Sequence, residues 1–229
     1  MKRVSYRGLC YGAALLVSAG VGASAAATDI KGSLTTKGER KASGASSPRA
    51  PYWQEWNGFI EPKKNTVDLT REVSVVLIGA EGSKDATTVR LTGGQLYPQT
   101  LVMQQGTSLR VRNEDDFTHK LFADGLAAFD AIETSPGQGR QIQVDQAGSF
   151  ALHDVLSPHV TGTLHVLPKV TQVALPKADG SYVLSGVSPG SYTLKVFFGD
   201  KEVSSSTLDV TSTRDVVVDP VAIDVTGGK

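Results

Sequence analysis

Residues 71–79 read REVSVVLIG, with Val73, Val75 and Leu77 on one face of an extended chain and Val76 and Ile78 on the other. Side chains alternate across a strand with a period of 2, so this strand is apolar on both faces. The pattern continues through 87–94 (TTVRLTGG), 99–115 (QTLVMQQGTSLRVRNED), 140–155 (RQIQVDQAGSFALHDV) and 161–168 (TGTLHVLP). It carries on through 171–187 (TQVALPKADGSYVLSGV), 190–199 (GSYTLKVFFG) and 206–225 (STLDVTSTRDVVVDPVAIDV), with Gly79, Gly93, Gly94 and Gly106 as punctuation. Short strands separated by regular turn signals define an all-β chain with one β-sandwich or two. No helical periodicity of useful length competes, although Leu126 to Ile132 (LAAFDAI) has room for a single turn.

Upstream, residues 28–36 (TDIKGSLTT) alternate Ile30, Gly32 and Leu34 with polar neighbours and read as a short strand. Residues 37–51 (KGERKASGASSPRAP) have nothing to bury and read as a linker. Residues 52–59 (YWQEWNGF) gather Tyr52, Trp53, Trp56 and Phe59, including both tryptophans of the chain. Such rings serve either a recognition surface or a satellite core under the linker.

The first 27 residues set the expected compartment. Lys2, Arg3 and Arg7 precede an acid-free apolar stretch from Leu9 to Val21, and Ala23-Ser24-Ala25 or Ala25-Ala26-Ala27 supplies small residues for cleavage. That three-part build is a secretory signal, too short for a membrane anchor, and implies a periplasmic or extracellular protein. A lipoprotein reading of Cys10 fails because Arg7-Gly8-Leu9 is a poor lipobox. Cleavage would remove Cys10, the only cysteine, so the mature chain would rest on core burial without thiol or disulfide.

Charge excludes one class of partner. Taking Lys2, Arg3 and Arg7 from the 23 basic residues leaves 20 against 23 acidic ones, which is no nucleic-acid footprint. No later stretch approaches 18 consecutive apolar residues, so no transmembrane segment is expected in the mature chain. No nucleophile elbow, H-E-x-x-H, C-x-x-C, phosphate loop or dinucleotide fingerprint occurs, so an enzyme is not expected. The acids Glu114 to Asp116 read as a solvated turn.

Residues 96–167 resemble the small periplasmic cupredoxin domains related to plastocyanin. The landmarks run in order: Leu96-Tyr97-Pro98, the turn Gln105 to Leu109, then Arg112 to His119 (RNEDDFTH) matching an N-x-D…H segment whose histidine is a copper ligand in that family. Phe129-Asp130, Pro136-Gly137 and Ala147 to Phe150 follow. Where the family reads C-x-x-H-P-x-M, this chain reads Asp154-Val155-Leu156-Ser157-Pro158-His159-Val160. The resemblance therefore puts Asp154 in the place of Cys, Ser157 of His and Val160 of Met, and only His119 of the four ligands remains. Blue copper requires a His₂Cys set, so a blue-copper electron carrier is excluded by chemistry.

Residues 169–199 resemble the carboxypeptidase regulatory-like, transthyretin-like β module. Its signature is carried by Asp179-Gly180-Ser181-Tyr182-Val183-Leu184 and Val187 to Leu194 (VSPGSYTL). Asp-Gly and Pro-Gly set tight turns, and the alternating Tyr and Leu face a core. The expected fold is thus a cupredoxin-like Greek-key sandwich plus a small transthyretin-like sandwich. The expected boundaries are signal 1–27; strand, linker and aromatic segment 28–70; opening strands of the β module 71–95; cupredoxin-like domain 96–168; and regulatory-like module 169–229. The cupredoxin-like part would be inserted between the opening and C-terminal strands, an order that resembles methylamine-utilisation-type cupredoxin proteins.

Strand parity sorts the four histidines. Phe150 and Leu152 facing the core would turn Asp154 inward and His153 outward, and Leu164 and Val166 facing inward would turn His165 outward. Two readings follow. In one, His119 and Asp154 pair and close the loops without metal or other cofactor, leaving an interaction module for a cell-envelope protein or glycan, of no implied oligomeric state. In the other, His119, Asp154 and His159 hold copper or zinc for metal handling, since imidazole and carboxylate ligate both.

Overall fold

The computed structural model describes residues 28–38, 66–79, 82–211 and 214–226. The expected signal (1–27) and the aromatic run 52–59 lie outside the described residues, as does most of the linker. The described chain is all-β: sixteen strands and a one-turn helix, α1 (Leu69–Glu72), which Asp68 caps by accepting from the Thr70 amide.

Eight consecutive strands pair only with one another among the described residues. They are β3 (Thr87–Thr92), β4 (Gln95–Tyr97), β5 (Thr100–Gln104), β6 (Thr107–Asn113), β7 (Leu121–Ala123), β8 (Gly139–Val144), β9 (Gly148–Asp154) and β10 (Thr161–Leu167). They form two four-stranded sheets, ordered β4-β3-β6-β8 and β5-β10-β9-β7. The pairs β3–β6 and β5–β10 are parallel and the others antiparallel. Alternate residues of each strand meet in one core, including Val89, Leu91, Leu109, Val111, Leu152 and Leu164, each fully buried.

The remaining strands are β1 (Thr28–Lys37), β2 (Val73–Ile78), β11 (Gln172–Ala174), β12 (Ser181–Val187), β13 (Gly190–Phe198), β14 (Lys201–Val210), β15 (Val216–Val217) and β16 (Val221–Asp224). One sheet runs β11-β2-β13-β14; in the other, β1 sits between β12 and, on its opposite edge, β15 then β16. Ile30, Leu34, Val73, Val75, Leu77, Tyr182, Leu184 and Leu194 form the core between them. Of the expected opening strands 71–95, β2 pairs here, whereas β3 and the start of β4 pair with β6 and each other, because Val89, Leu91 and Leu96 belong to the first core.

The Asp179-Gly180 turn is present but joins strands of two different sheets, since β11 pairs β2 while β12 pairs β1. Gly180 takes φ +81°, and its carbonyl accepts from the Leu34 amide as β1 passes close above. A Cβ here would lie 2.1 Å from the Leu34 carbonyl oxygen, so close passage as well as left-handed backbone calls for glycine.

The second face of β2 explains its doubly apolar sequence. Val76 packs with Val102, Val170 and Phe197 between the two sandwiches, against the half-buried Ile78 and Leu167. Backbone and hydroxyl groups seal the same seam: Thr100 Oγ1 donates to the Glu72 carbonyl and accepts from the Gly199 amide, and Ser74 Oγ donates to the Thr100 carbonyl. Among the described residues no helix is long and apolar enough to cross a membrane.

Candidate functional site

The loops at one end of the first sandwich converge on His119, whose ring is completely buried. Its placement begins at Asn113, the last residue of β6. The Asn113 amide group donates to the carbonyls of Phe117 and Thr134, and its Oδ1 accepts from the Asp115 amide, folding 113–119 into a tight loop. A two-strand bridge between His119 and Thr134 then fixes the histidine backbone. Phe117 leans on the ring at a centroid distance of 4.6 Å.

Both ring nitrogens meet carboxylates. Nδ1 lies 2.7 Å from Asp154 Oδ2 and Nε2 lies 3.0 Å from Asp115 Oδ2. A doubly protonated ring satisfies both partners, whereas a neutral ring has only one N–H to give. The carboxylates are in turn saturated. Asp154 Oδ1 accepts from the Leu156 and Ser157 amides, and its Oδ2 from the Lys120 amide. Asp115 accepts from the amides of Gly93 and Gly94. Those two glycines form the two-residue turn of the β3–β4 hairpin, both with positive φ, the primed-turn geometry that aims successive amides at one anion. A single chain of charge-assisted hydrogen bonds thus ties three loops together.

Asp115 corrects one expectation: it is buried, not a solvated member of the Glu114–Asp116 turn, because the Gly93-Gly94 amides and His119 replace its water. Burial alone would raise its carboxyl, but the Gly94 amide, the His119 ring and the Gly93 amide together bring it below its ordinary value of 3.8.

The other expected site residues separate. Asp154 faces inward and is buried, as are Ser157 and Val160, the latter in the hydrophobic core. His159 is exposed, its ring over Gly94, and among the described residues it makes no hydrogen bond to His119 or Asp154. Pro158 and His159 form the outer part of the turn that the Val160 amide closes on the Ser157 carbonyl. Among the described residues, no cluster of three or more His, Cys, Asp and Glu side chains is arranged to hold a metal ion.

His153 is half-exposed beside Asp124, at 3.1 Å. His165 departs from the outward reading: it faces away from the first core, as parity requires, yet is only 1% exposed because β13 and its turn cover it. Its ring packs on Phe197 at 4.5 Å, Nε2 donates to the Gly199 carbonyl, and Nδ1 accepts from Ser149 Oγ. Burial holds it below the ordinary 6.5, against opposing pulls from the Gly199 carbonyl, Asp200 and Glu202. A histidine held low in the fold contributes stability that is full above 6.5 and is lost as the pH falls below that value toward the folded one. Urea unfolding between about pH 8 and about pH 5 should therefore show a decline that His165→Gln reduces. Equal slopes in the two proteins would refute this role.

No family model matches the chain, and no curated protein matches it. Among solved structures, a purple cupredoxin from Nitrosopumilus maritimus is 15% identical over 35% of this chain and 99% of its own, with a TM-score of 0.32. Amicyanin from Paracoccus versutus is 17% identical over 42% of this chain and 99% of its own, with a TM-score of 0.33. A Cu-containing nitrite reductase from Thermus scotoductus is 21% identical over 36% of this chain, with a TM-score of 0.32, and the match spans 22% of that reductase.

Proposed function

We propose that this is an exported, non-enzymatic binding or structural module of the cell envelope or cell exterior. It joins a cupredoxin-like sandwich without type 1 copper to a smaller transthyretin-like sandwich. The observation that carries the reading is the engagement of both His119 ring nitrogens by carboxylates, Asp154 at 2.7 Å and Asp115 at 3.0 Å. Metal ligation by imidazole needs a ring lone pair. Here the residue in the place of the cupredoxin thiolate supplies an oxygen that clasps the histidine directly.

Two further features support it. Ser157 and Val160, in the places of the second histidine and the methionine, add no imidazole or thioether, and the soft ligation that tunes blue copper is missing. β1 and β2 pair with strands from Gln172 onward, in keeping with a module into which the cupredoxin-like strands are inserted.

The test is metal analysis of the purified mature protein after exposure to copper or zinc, alongside His119→Ala. The expected result is no stoichiometric metal in the parent protein. Stoichiometric copper or zinc that disappears in His119→Ala would overturn the reading and install the metal-handling alternative.

A further inference from the structure

The outer face of the β4-β3-β6-β8 sheet carries a concentration of one kind of charge. Strand alternation sends Thr88, Arg90 and Thr92 of β3 outward, Ser108, Arg110 and Arg112 of β6, and Gln141 and Gln143 of β8. The register makes Arg90 the direct neighbour of Arg112, and Arg110 the neighbour of Thr88 on one side and Gln141 on the other. By strand geometry the three guanidinium stems rise about 5 to 8 Å apart from a single surface.

These cations are largely unspent. Arg112 is 66% exposed and Arg90 44%, and both share one carboxylate, Glu114, at 3.8 and 3.7 Å. Among the described residues, Arg110 reaches only the Gln141 side-chain oxygen, at 3.4 Å. None of the outward residues of β3, β6 and β8 is a lysine. Arginine is the cation that grips planar carboxylates with two parallel hydrogen bonds, which a lysine cannot do.

The geometry points to this arginine face as the binding surface for a carboxylate-bearing polysaccharide. A protein partner needs apolar anchors that can be desolvated, and the outward residues of β3, β6 and β8 include none. Charge, amides and hydroxyls on a flat surface suit instead a hydrated acidic sugar chain. Tyr97 at the edge holds the Arg90 guanidinium 4.8 Å over its ring, which keeps that cation on this face. The inference deepens the binding-module reading above and is independent of the clasp at His119.

The experiment is affinity electrophoresis of the purified chain through gels containing polygalacturonate, neutral dextran or DNA. Polygalacturonate should retard the protein and dextran should not. Arg90→Gln/Arg110→Gln/Arg112→Gln should weaken retardation at least about tenfold. A control removing equal charge from the other sandwich, Lys169→Gln/Lys177→Gln/Lys201→Gln, should leave it within about twofold. Absence of retardation by polygalacturonate, or stronger retardation by DNA, overturns the assignment. So does retardation that survives the arginine substitutions, and that outcome leaves the protein a glycan-binding module acting through another face, which separates this failure from failure of the wider reading.

Discussion

Asp154→Ala is expected to lower the free energy of unfolding by about 3–5 kcal/mol, the cost of stranding several buried hydrogen-bonding groups at once. The magnitude follows from what stays behind. The amides of Lys120, Leu156 and Ser157 lose their acceptor, and the fully buried His119 ring loses the partner of Nδ1. A domain of ordinary stability holds about 5–15 kcal/mol, so this one change removes a large share. His119→Ala should cost a similar amount by stranding Asp115 and Asp154. The double variant should fall short of the sum by about 1–3 kcal/mol, since the residues share one network. Urea unfolding of the four proteins measures this cycle. A loss below about 1 kcal/mol in Asp154→Ala would mean the clasp does not hold the loops.

Phe197→Ala should cost about 3–5 kcal/mol, and it acts at a different place. Phe197 is buried against Val76, Val102 and Val170, and its ring covers His165. Truncation opens a cavity at the seam, where each sandwich depends on the other for cover. Because each sandwich has its own core, weakening the seam is expected to split one unfolding transition into two, visible when hydrogen exchange in β10 and β13 is followed separately. A small loss with the transition still single would show that the seam contributes little.

Much of this was legible in the chain because strand parity is a strict rule. The alternation through Phe150, Leu152 and Asp154 turned a carboxylate into the core, and the run Arg112 to His119 set a histidine opposite it. The doubly apolar β2 announced that both its faces would be covered. What parity could not supply was the identity of the cover. His165 points out of its own sandwich, and only the pairing of β13 with β2, residues far apart in sequence, brings Phe197 and Gly199 over it. Asp115 was hidden for a similar reason. In sequence it stands among exposed acids, and the groups that bury it, the Gly93-Gly94 amides, lie 21 and 22 residues away. The signals were the glycine pair between two strands and the four-residue spacing from Asp115 to His119. The boundary between the sandwiches was harder to read, because the alternating pattern of β3 is the same whichever core it enters.

In the proposed reading the His119 ring is committed to two carboxylates and has no nitrogen to offer a metal. Nitrogen-15 spectra of the imidazole side chains near neutral pH, recorded before and after addition of zinc, read this directly. The expected spectrum shows both His119 ring-nitrogen signals unchanged by the metal. A His119 ring-nitrogen signal that moves in proportion to added zinc until one equivalent is bound would contradict it.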